Sequence, residues 1–409
     1  METRRSFIGA SLAAATLSNR VLGANDRIRM GIIGPGWRGM TVLNLFKKHP
    51  DCEFVAACDV NKKTLEAAVQ KIGGKVDAYS DYRRLLDRKD IDAVLVATPD
   101  HWHGPITVDA CAAGKDVYVE KPISNTIEAG WAMVEAARKY NRVVQLGTQQ
   151  RSGKHFQEAA ELVRGGLLGK VTHAVCIQPG AYNQRRQPEA PPPPELDWDA
   201  WQGPAPRRPY SPMLRMWRAF YAYGGGLVTD WGVHLTDIVL MYLNADLKAP
   251  RLTSASAQYV NAERDLDQVP DTFACSWQYD DFVMSFVNAV PAIPEAGVNL
   301  QGNWFYGPRG TLHINRSGYE VYPAQQRAMP GQTPPPPIEA KRVPVKEDYE
   351  NDPDTTAHAR NFLDCIKSRK RPVSDIEIGF YSTLPCLIAL LAIRQGKTFT
   401  WDGKAARPA

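Results

Sequence analysis

A chain of 409 residues, 44% hydrophobic and 23% charged, carries enough apolar material for two domains and a sizeable core. Its composition is that of an ordinary soluble globular protein. The 49 Lys and Arg stand against 44 Asp and Glu, a formal charge of +5 with no basic run, so nothing points to nucleic acid.

The N-terminus reads Thr3-Arg-Arg-Ser-Phe-Ile8, then an apolar segment Phe7–Leu17 and small residues towards Ala24. This predicts a twin-arginine signal over residues 1–24 and export, to the periplasm or beyond. The alternative is an accidental Arg-Arg before an apolar stretch. The apolar segment is too short to span a bilayer, so no stable membrane insertion is expected. Seven cysteines are scattered without metal spacing or a disulfide framework, and read as buried, reduced packing residues.

Ile28–Ile33 is a short apolar run followed by Gly34, Gly36 and Gly39 and then a helical pattern from Met40 to Phe46. That is a G-x-G-x-x-G turn between strand and helix. Gly34 permits the tight turn, Gly36 lets backbone approach a pyrophosphate, and Gly39 lets the helix pack on the strand. The second apolar run, Glu53–Cys58, ends in Asp59, placed to hold a ribose 2′-hydroxyl. Helix follows at Lys62–Lys71 and Tyr82–Leu86, strand at Ile91–Ala97, helix at Pro105–Ala113, strand at Asp116–Glu120, helix at Thr126–Tyr140 and strand at Arg142–Leu146. Continuous apolar strands alternating with helices predict a doubly wound parallel sheet.

Beyond it the grammar changes. Gly153–Arg164 reads as helix and Val171–Gln178 as strand, followed by an irregular Pro- and Trp-rich crossing over Gln187–Pro212. Thr272–Tyr279 and Phe282–Asn288 flank Asp280-Asp281 as an antiparallel hairpin, Trp304–Ile314 and Gly318–Tyr322 add strands, and Met329–Pro337 is a surface loop. Thr355–Ser368 and Ile376–Gly396 are helical. The expected architecture is therefore an α/β Rossmann domain over 27–147, then an α+β domain over 148–409 with an open, mainly antiparallel sheet. The C-terminal helices are expected to pack back towards the first domain.

Three further stretches carry chemistry. Ala97–His103 and Val119–Ile123 both follow strands of the parallel sheet, so they lie at the edge where ligands bind. The Lys121 ammonium there suits a substrate oxygen or a proton, although a solvated strand-end lysine fits the spacing equally. In Gly224–Asp237, Asp230 and His234 stand at i,i+4 on one expected helix face, with Asp237 three residues beyond. A carboxylate orienting an imidazole is a proton relay; a structural pair or a metal site are the alternatives, and no acidic or cysteine partner nearby supports a metal.

Together the Gly34–Gly39 loop, Thr98-Pro99, Glu120-Lys121-Pro122 and the Gly224–Asp237 block resemble the glucose–fructose oxidoreductase/inositol dehydrogenase (Gfo/Idh/MocA) family over nearly the whole chain after residue 27. The resemblance implies sugar or cyclitol oxidation with Lys121 positioning the reacting hydroxyl, His234 as proton acceptor and donor, and Asp230 assisting. It places Trp37, Arg38, Thr98, Pro99, His103, Glu120 and Lys121 with the three glycines and Asp59 around the cofactor. Asp100–His103, Gln149–Ser152, Trp198–Trp201 and Trp217–Phe220 resemble an exported branch associated with glycan degradation. Trp102 and Trp217 then suit stacking on sugar faces, and Arg151, Arg218 and Asp237 suit hydrogen bonds to the substrate. Asp59 favours NAD over NADP, with Arg38 leaving some room for a 2′-phosphate. The expected substrate is a sugar or glycoside, oxidised at C3 in the exported branch. The expected assembly is a homodimer or homotetramer. An exported enzyme must hold its dinucleotide tightly and regenerate it in place, by two half-reactions, by an oxidation reversed within one turnover, or with redox partners. Within the same superfamily a glycosidase branch departs from the Glu-Lys-Pro pattern that this chain keeps; a non-catalytic nucleotide-binding protein is the remaining alternative.

Overall fold

The computed structural model describes residues 27–182, 186–288, 300–325, 336–348 and 351–409. The twin-arginine pattern, and the 329–337 loop up to residue 335, lie outside these residues. The first domain runs β1 (Ile28–Ile33), α1 (Trp37–Phe46), β2 (Cys52–Cys58), α2 (Lys62–Ile72), β3 (Asp77–Tyr79), α3 (Tyr82–Leu86), β4 (Ala93–Val96), α4 (Asp100–Ala112), β5 (Asp116–Val119), α5 (Ile127–Lys139) and β6 (Val144–Leu146). Its six strands are parallel, in the order β3-β2-β1-β4-β5-β6. β4 and β5 are buried at every position, which is why they read as unbroken apolar runs. The order reverses between β1 and β4, so a crevice opens outside their carboxyl ends.

The helix after β4 begins at Asp100, not at Pro105. Proline favours a first turn, but here the acidic side chain of Asp100 occupies that turn and Pro105 lies inside the helix. His101, Trp102 and His103 are consequently helical.

The second domain runs α6 (Lys154–Arg164), β7 (His173–Ile177), α7 (Trp198–Gln202), α8 (Gly226–Asp230), α9 (Gly232–Tyr242), β8 (Leu252–Gln258), β9 (Thr272–Gln278), β10 (Val283–Asn288), β11 (Gly302–Gly307), β12 (Gly310–Asn315), β13 (Gly318–Pro323), β14 (Lys341–Pro344), α10 (Pro353–Ser368), α11 (Ile376–Gln395), β15 (Phe399–Trp401) and β16 (Ala406–Pro408). Ten strands form one sheet, β14-β13-β12-β11-β7-β10-β9-β8-β15-β16, antiparallel except for the β7–β10 pair. The expected strand over Trp304–Ile314 is two strands. Pro308 cannot donate to a ladder, and the chain reverses there with Gly307 opposite Gly310.

One face of this sheet is buried through Phe273, Cys275, Trp277, Met284, Phe286, Phe305 and Ile314. α11 lies against it and is the core helix: it is long and apolar enough to cross a membrane, yet 72% of its apolar window is buried inside the protein. α10 returns to the first domain. Phe362 and Leu363 share a core with Ile28, Met30 and Phe46, and the Phe46 and Phe362 rings meet edge to face at 6.1 Å. All seven cysteines are buried and unpaired.

Candidate active site

The carboxyl ends of β1, β2, β4 and β5, the α8–α9 segment and the 197–207 crossing surround one cleft of about 1190 Å³. At its floor Gly34 has φ +83°, and a Cβ there would lie 2.7 Å from Thr98 N, so only glycine fits. A Cβ at Gly39 would lie 2.4 Å from Gly34 O, which fixes α1 against the turn. At Gly36 a Cβ would meet nothing within 4 Å, leaving an open cradle. α1 has no side-chain cap, so its first-turn N–H groups stay free for an anion. At the end of β2 the Asp59 carboxylate accepts from Asn61 N at 2.8 Å, and burial pushes its pKa up to about 6. Asp81 lines the same end. Free N–H groups beside an empty glycine cradle fit a pyrophosphate, and two carboxylates fit a ribose diol while opposing a 2′-phosphate. The donor set therefore fits NAD. Arg38 adds nothing for NADP: its Nε and Nη2 both lie 3.0 Å from Glu120 Oε1, at the end of β5, three strands from β2. Trp37 stands 82% exposed at the cleft mouth.

At the other end, Lys121 leaves β5 with its ammonium buried. Nζ donates to Asp230 Oδ1 at 2.5 Å and to Asp230 O at 2.7 Å. Tyr182 Oη donates to the second Asp230 oxygen at 2.5 Å, and Arg218 Nε lies 3.2 Å from Oδ1 with its guanidinium over the Trp217 ring. Burial alone would raise the Asp230 carboxyl, but Lys121 and Arg218 hold it well below the usual carboxylate range. Burial lowers the Lys121 ammonium, against the pull of Asp230. His234 is buried, its Nδ1 without a hydrogen-bond partner and its Nε2 3.5 Å from Arg316 Nη2. A guanidinium can only donate, so that contact leaves Nε2 as the lone-pair nitrogen of a ring that lines the cleft.

His103 lines the cleft, but its ring nitrogens lie 2.7 Å from Pro122 O and 2.8 Å from Thr98 O. It ties the loop after β4 to the turn that carries Lys121. Pro99 precedes α4, and both it and Thr98 line the cleft between Gly34 and His103. Trp102 also lines the cleft and packs edge to face on Tyr82 at 5.7 Å.

The 193–208 crossing lines the cleft at its Asp59 end. Lys62 N donates to Glu195 O at 2.8 Å, Asp197 N donates to Val60 O at 3.1 Å, and Lys63 pairs with Glu195. Trp201 stacks on Trp198 at 4.9 Å, and its carbonyl accepts from Trp102 Nε1 at 2.9 Å. This strap thus joins the second domain to the β2–α2 turn that holds Asp59. Nothing in the irregular sequence of 187–212 indicates it.

Two expectations are corrected. Asp230 and His234 do not form a relay: α8 ends at Asp230 and α9 begins at Gly232, and the carboxylate turns to Lys121 and Tyr182. Arg151 and Asp237 are not among the cleft-lining residues. Arg151 Nε donates to both Asp237 oxygens at 2.8 Å and its Nη2 to Asp246 at 2.6 Å, while Ser382 Oγ donates to Asp237 at 2.6 Å. With side chains 4% and 0% exposed, this is a structural ion cluster under α9. Arg151→Ala strands the Asp237 carboxylate in the core, and urea denaturation is expected to show a loss of about 3–5 kcal/mol. Tyr182 and Arg316 were missed by the sequence reading; no local pattern sets either apart.

Comparison with known proteins bears on both domains. Residues 28–148 match the model of an oxidoreductase family described as an NAD-binding Rossmann fold, and residues 178–288 match that family's C-terminal alpha/beta domain. Glycosyl hydrolase family 109 protein 2 of Shewanella sp. (strain ANA-3) is 32% identical over 202 residues, 42% of this chain and 44% of the relative. The matched stretch thus spans less than half the length of that relative. Among solved structures, a levoglucosan dehydrogenase in complex with NADH and levoglucosan superposes with a TM-score of 0.69 at 19% identity, over 91% of this chain and 99% of the other. The aldose-aldose oxidoreductase of Caulobacter crescentus does so with 0.67 at 20% identity, over 92% and 100%. These two likenesses are of fold.

Proposed function

The chain belongs to the Gfo/Idh/MocA family of NAD-binding oxidoreductases, and from that premise we propose that it moves hydride between a sugar or glycoside ring carbon, C3 of a pyranoside, and a resident NAD(H). The observation that carries this is the meeting, in one cleft, of the Gly34–Gly39 cradle and Asp59 with the Lys121–Asp230–Tyr182 network beside His234. Bound NAD supplies the hydride acceptor or donor. Lys121 donates to the reacting oxygen and offsets charge there as the proton leaves. His234 Nε2 takes that proton in oxidation and returns it in reduction. Asp230 holds the Lys121 ammonium in place, and Tyr182 and Arg218 hold Asp230.

Export through the twin-arginine pathway would place the enzyme where free cofactor is scarce. The strap supports a retained dinucleotide recycled by a second sugar, by reversal of the same oxidation, or by a redox partner. Denaturing the purified protein is expected to release near-stoichiometric NAD, and glycosides are expected to give 3-keto products without added cofactor. A protein carrying no dinucleotide and giving no keto product would refute the proposal. Trp201→Ala removes the stack that stiffens the strap and is expected to speed NAD loss on dilution by about tenfold or more.

The likeness to a glycosyl hydrolase supports a second reading. Oxidation at C3 acidifies the C2 proton; loss of that proton expels the aglycone, water adds, and hydride returns to C3, so the net reaction is hydrolysis. A released reducing sugar with no keto product would favour it. The outer face of the large sheet carries Val283, Val287, Tyr306 and Tyr322, each 38–43% exposed, and we take a second copy of the chain to cover it, as a homodimer or homotetramer.

A further inference from the structure

Five arginines line the cleft: Arg38, Arg83, Arg207, Arg218 and Arg316. The first four each pair with an acid, namely Glu120, Asp81, Asp199 and Asp230. Among the described residues Arg316 pairs with none, and its Nε is buried without a hydrogen-bond partner. It stands in the turn between β12 and β13, its guanidinium 4.7 Å over the Trp231 ring and its Nη2 3.5 Å from His234 Nε2. The indole therefore holds a planar fork, without an ion-pair partner among the described residues, at the reacting end of the cleft. Asp352 caps α10, accepting from Thr355 N at 3.0 Å. Asp354 feels the charge of Arg316, but burial and the neighbouring Asp352 carboxylate outweigh it and push Asp354 up, and the two form no ion pair.

We propose that Arg316 is a substrate-specificity residue that takes the carboxylate of a uronic acid or uronide, so that the preferred substrate is an acidic sugar and not a neutral one. This rests on the oxidoreductase reading above and narrows its substrate class. A guanidinium meets a carboxylate through two parallel N–H···O bonds, a match that neutral hydroxyls do not offer and that the otherwise paired cleft arginines cannot provide. Pairing also supplies a counter-charge to Arg316 next to His234.

The test is calorimetric binding to the NADH-loaded enzyme, which needs no turnover, with methyl β-glucuronide, methyl β-glucoside and glucose 6-sulfate. The uronide is expected to bind tighter than the glucoside by about 10- to 100-fold, the size of one charge-assisted pair. In Arg316→Gln that ratio is expected to fall to about one, and in Arg316→Lys to an intermediate value, with NAD content after denaturation confirming an intact fold. Equal affinities in the parent enzyme, or a preference that survives Arg316→Gln, would overturn the assignment; so would tighter binding of the sulfate than of the carboxylate. An Arg316-dependent preference without keto product would leave this site standing and count against the dehydrogenase reading alone.

Discussion

Lys121→Met lowers kcat/KM for glycoside oxidation by about 10²- to 10⁴-fold while the protein keeps its fold and its NAD. The side chain is 11% exposed and aimed at one carboxylate, so the substitution removes its ammonium without changing the length of the chain that fills the space. Asp230 is not stranded, because Arg218 and Tyr182 remain on it. Asp230→Asn should behave differently. It takes from Lys121, 11% exposed, and from Arg218, 31% exposed, the carboxylate they share, and stability falls along with activity. Steady-state kinetics beside thermal unfolding and released-NAD assays separate the two cases. A Lys121→Met enzyme with full turnover would remove Lys121 from the chemistry.

His234→Asn is expected to cost about 10²- to 10⁴-fold in oxidation and to abolish one limb of the pH profile. Burial, then the cations Lys121, Arg316 and Arg38, push the imidazole well below its ordinary value. A base with a lowered pKa stays unprotonated to lower pH. Oxidation should therefore run flat through neutrality and fall only in acid below about pH 6.5, the ordinary histidine value. Removing a neighbouring cation, as in Arg316→Gln, should raise the imidazole and move that limb to higher pH. A limb at or above the ordinary histidine value, or one that survives His234→Asn, would show that another group takes the proton.

The cofactor half of the site was legible because it is local. Gly34, Gly36, Gly39 and Asp59 act through a strand–turn–helix–strand sequence whose geometry follows from spacing, and the structure places Gly34, Gly36 and Asp59 on the cleft with Gly39 packed against Gly34. Lys121 was legible as a lysine ending a buried strand. The partnership of Asp230 was not, since spacing pointed to His234 four residues away while the chain brings Lys121 from 109 residues away and Tyr182 from 48. Arg151 and Asp237 were read as substrate contacts because a sequence shows charge but not which side of α9 faces a cleft. β8, reading Leu252-Thr-Ser-Ala-Ser-Ala-Gln258, lacks the strong alternation that marks Thr272–Gln278, and it is held by its neighbours more than by its own pattern. The strap and Arg316 depend on tertiary position alone.

The most direct measurement is isotopic. The purified enzyme, without added cofactor, is mixed with a glycoside deuterated at every ring carbon, and the nicotinamide cofactor is released and weighed by mass spectrometry. Hydride transfer from the sugar ring to resident NAD predicts reduced cofactor heavier by one deuterium, and that label appearing about 10²- to 10⁴-fold more slowly after Lys121→Met or His234→Asn. Unlabelled cofactor from an enzyme shown to bind the glycoside would contradict it.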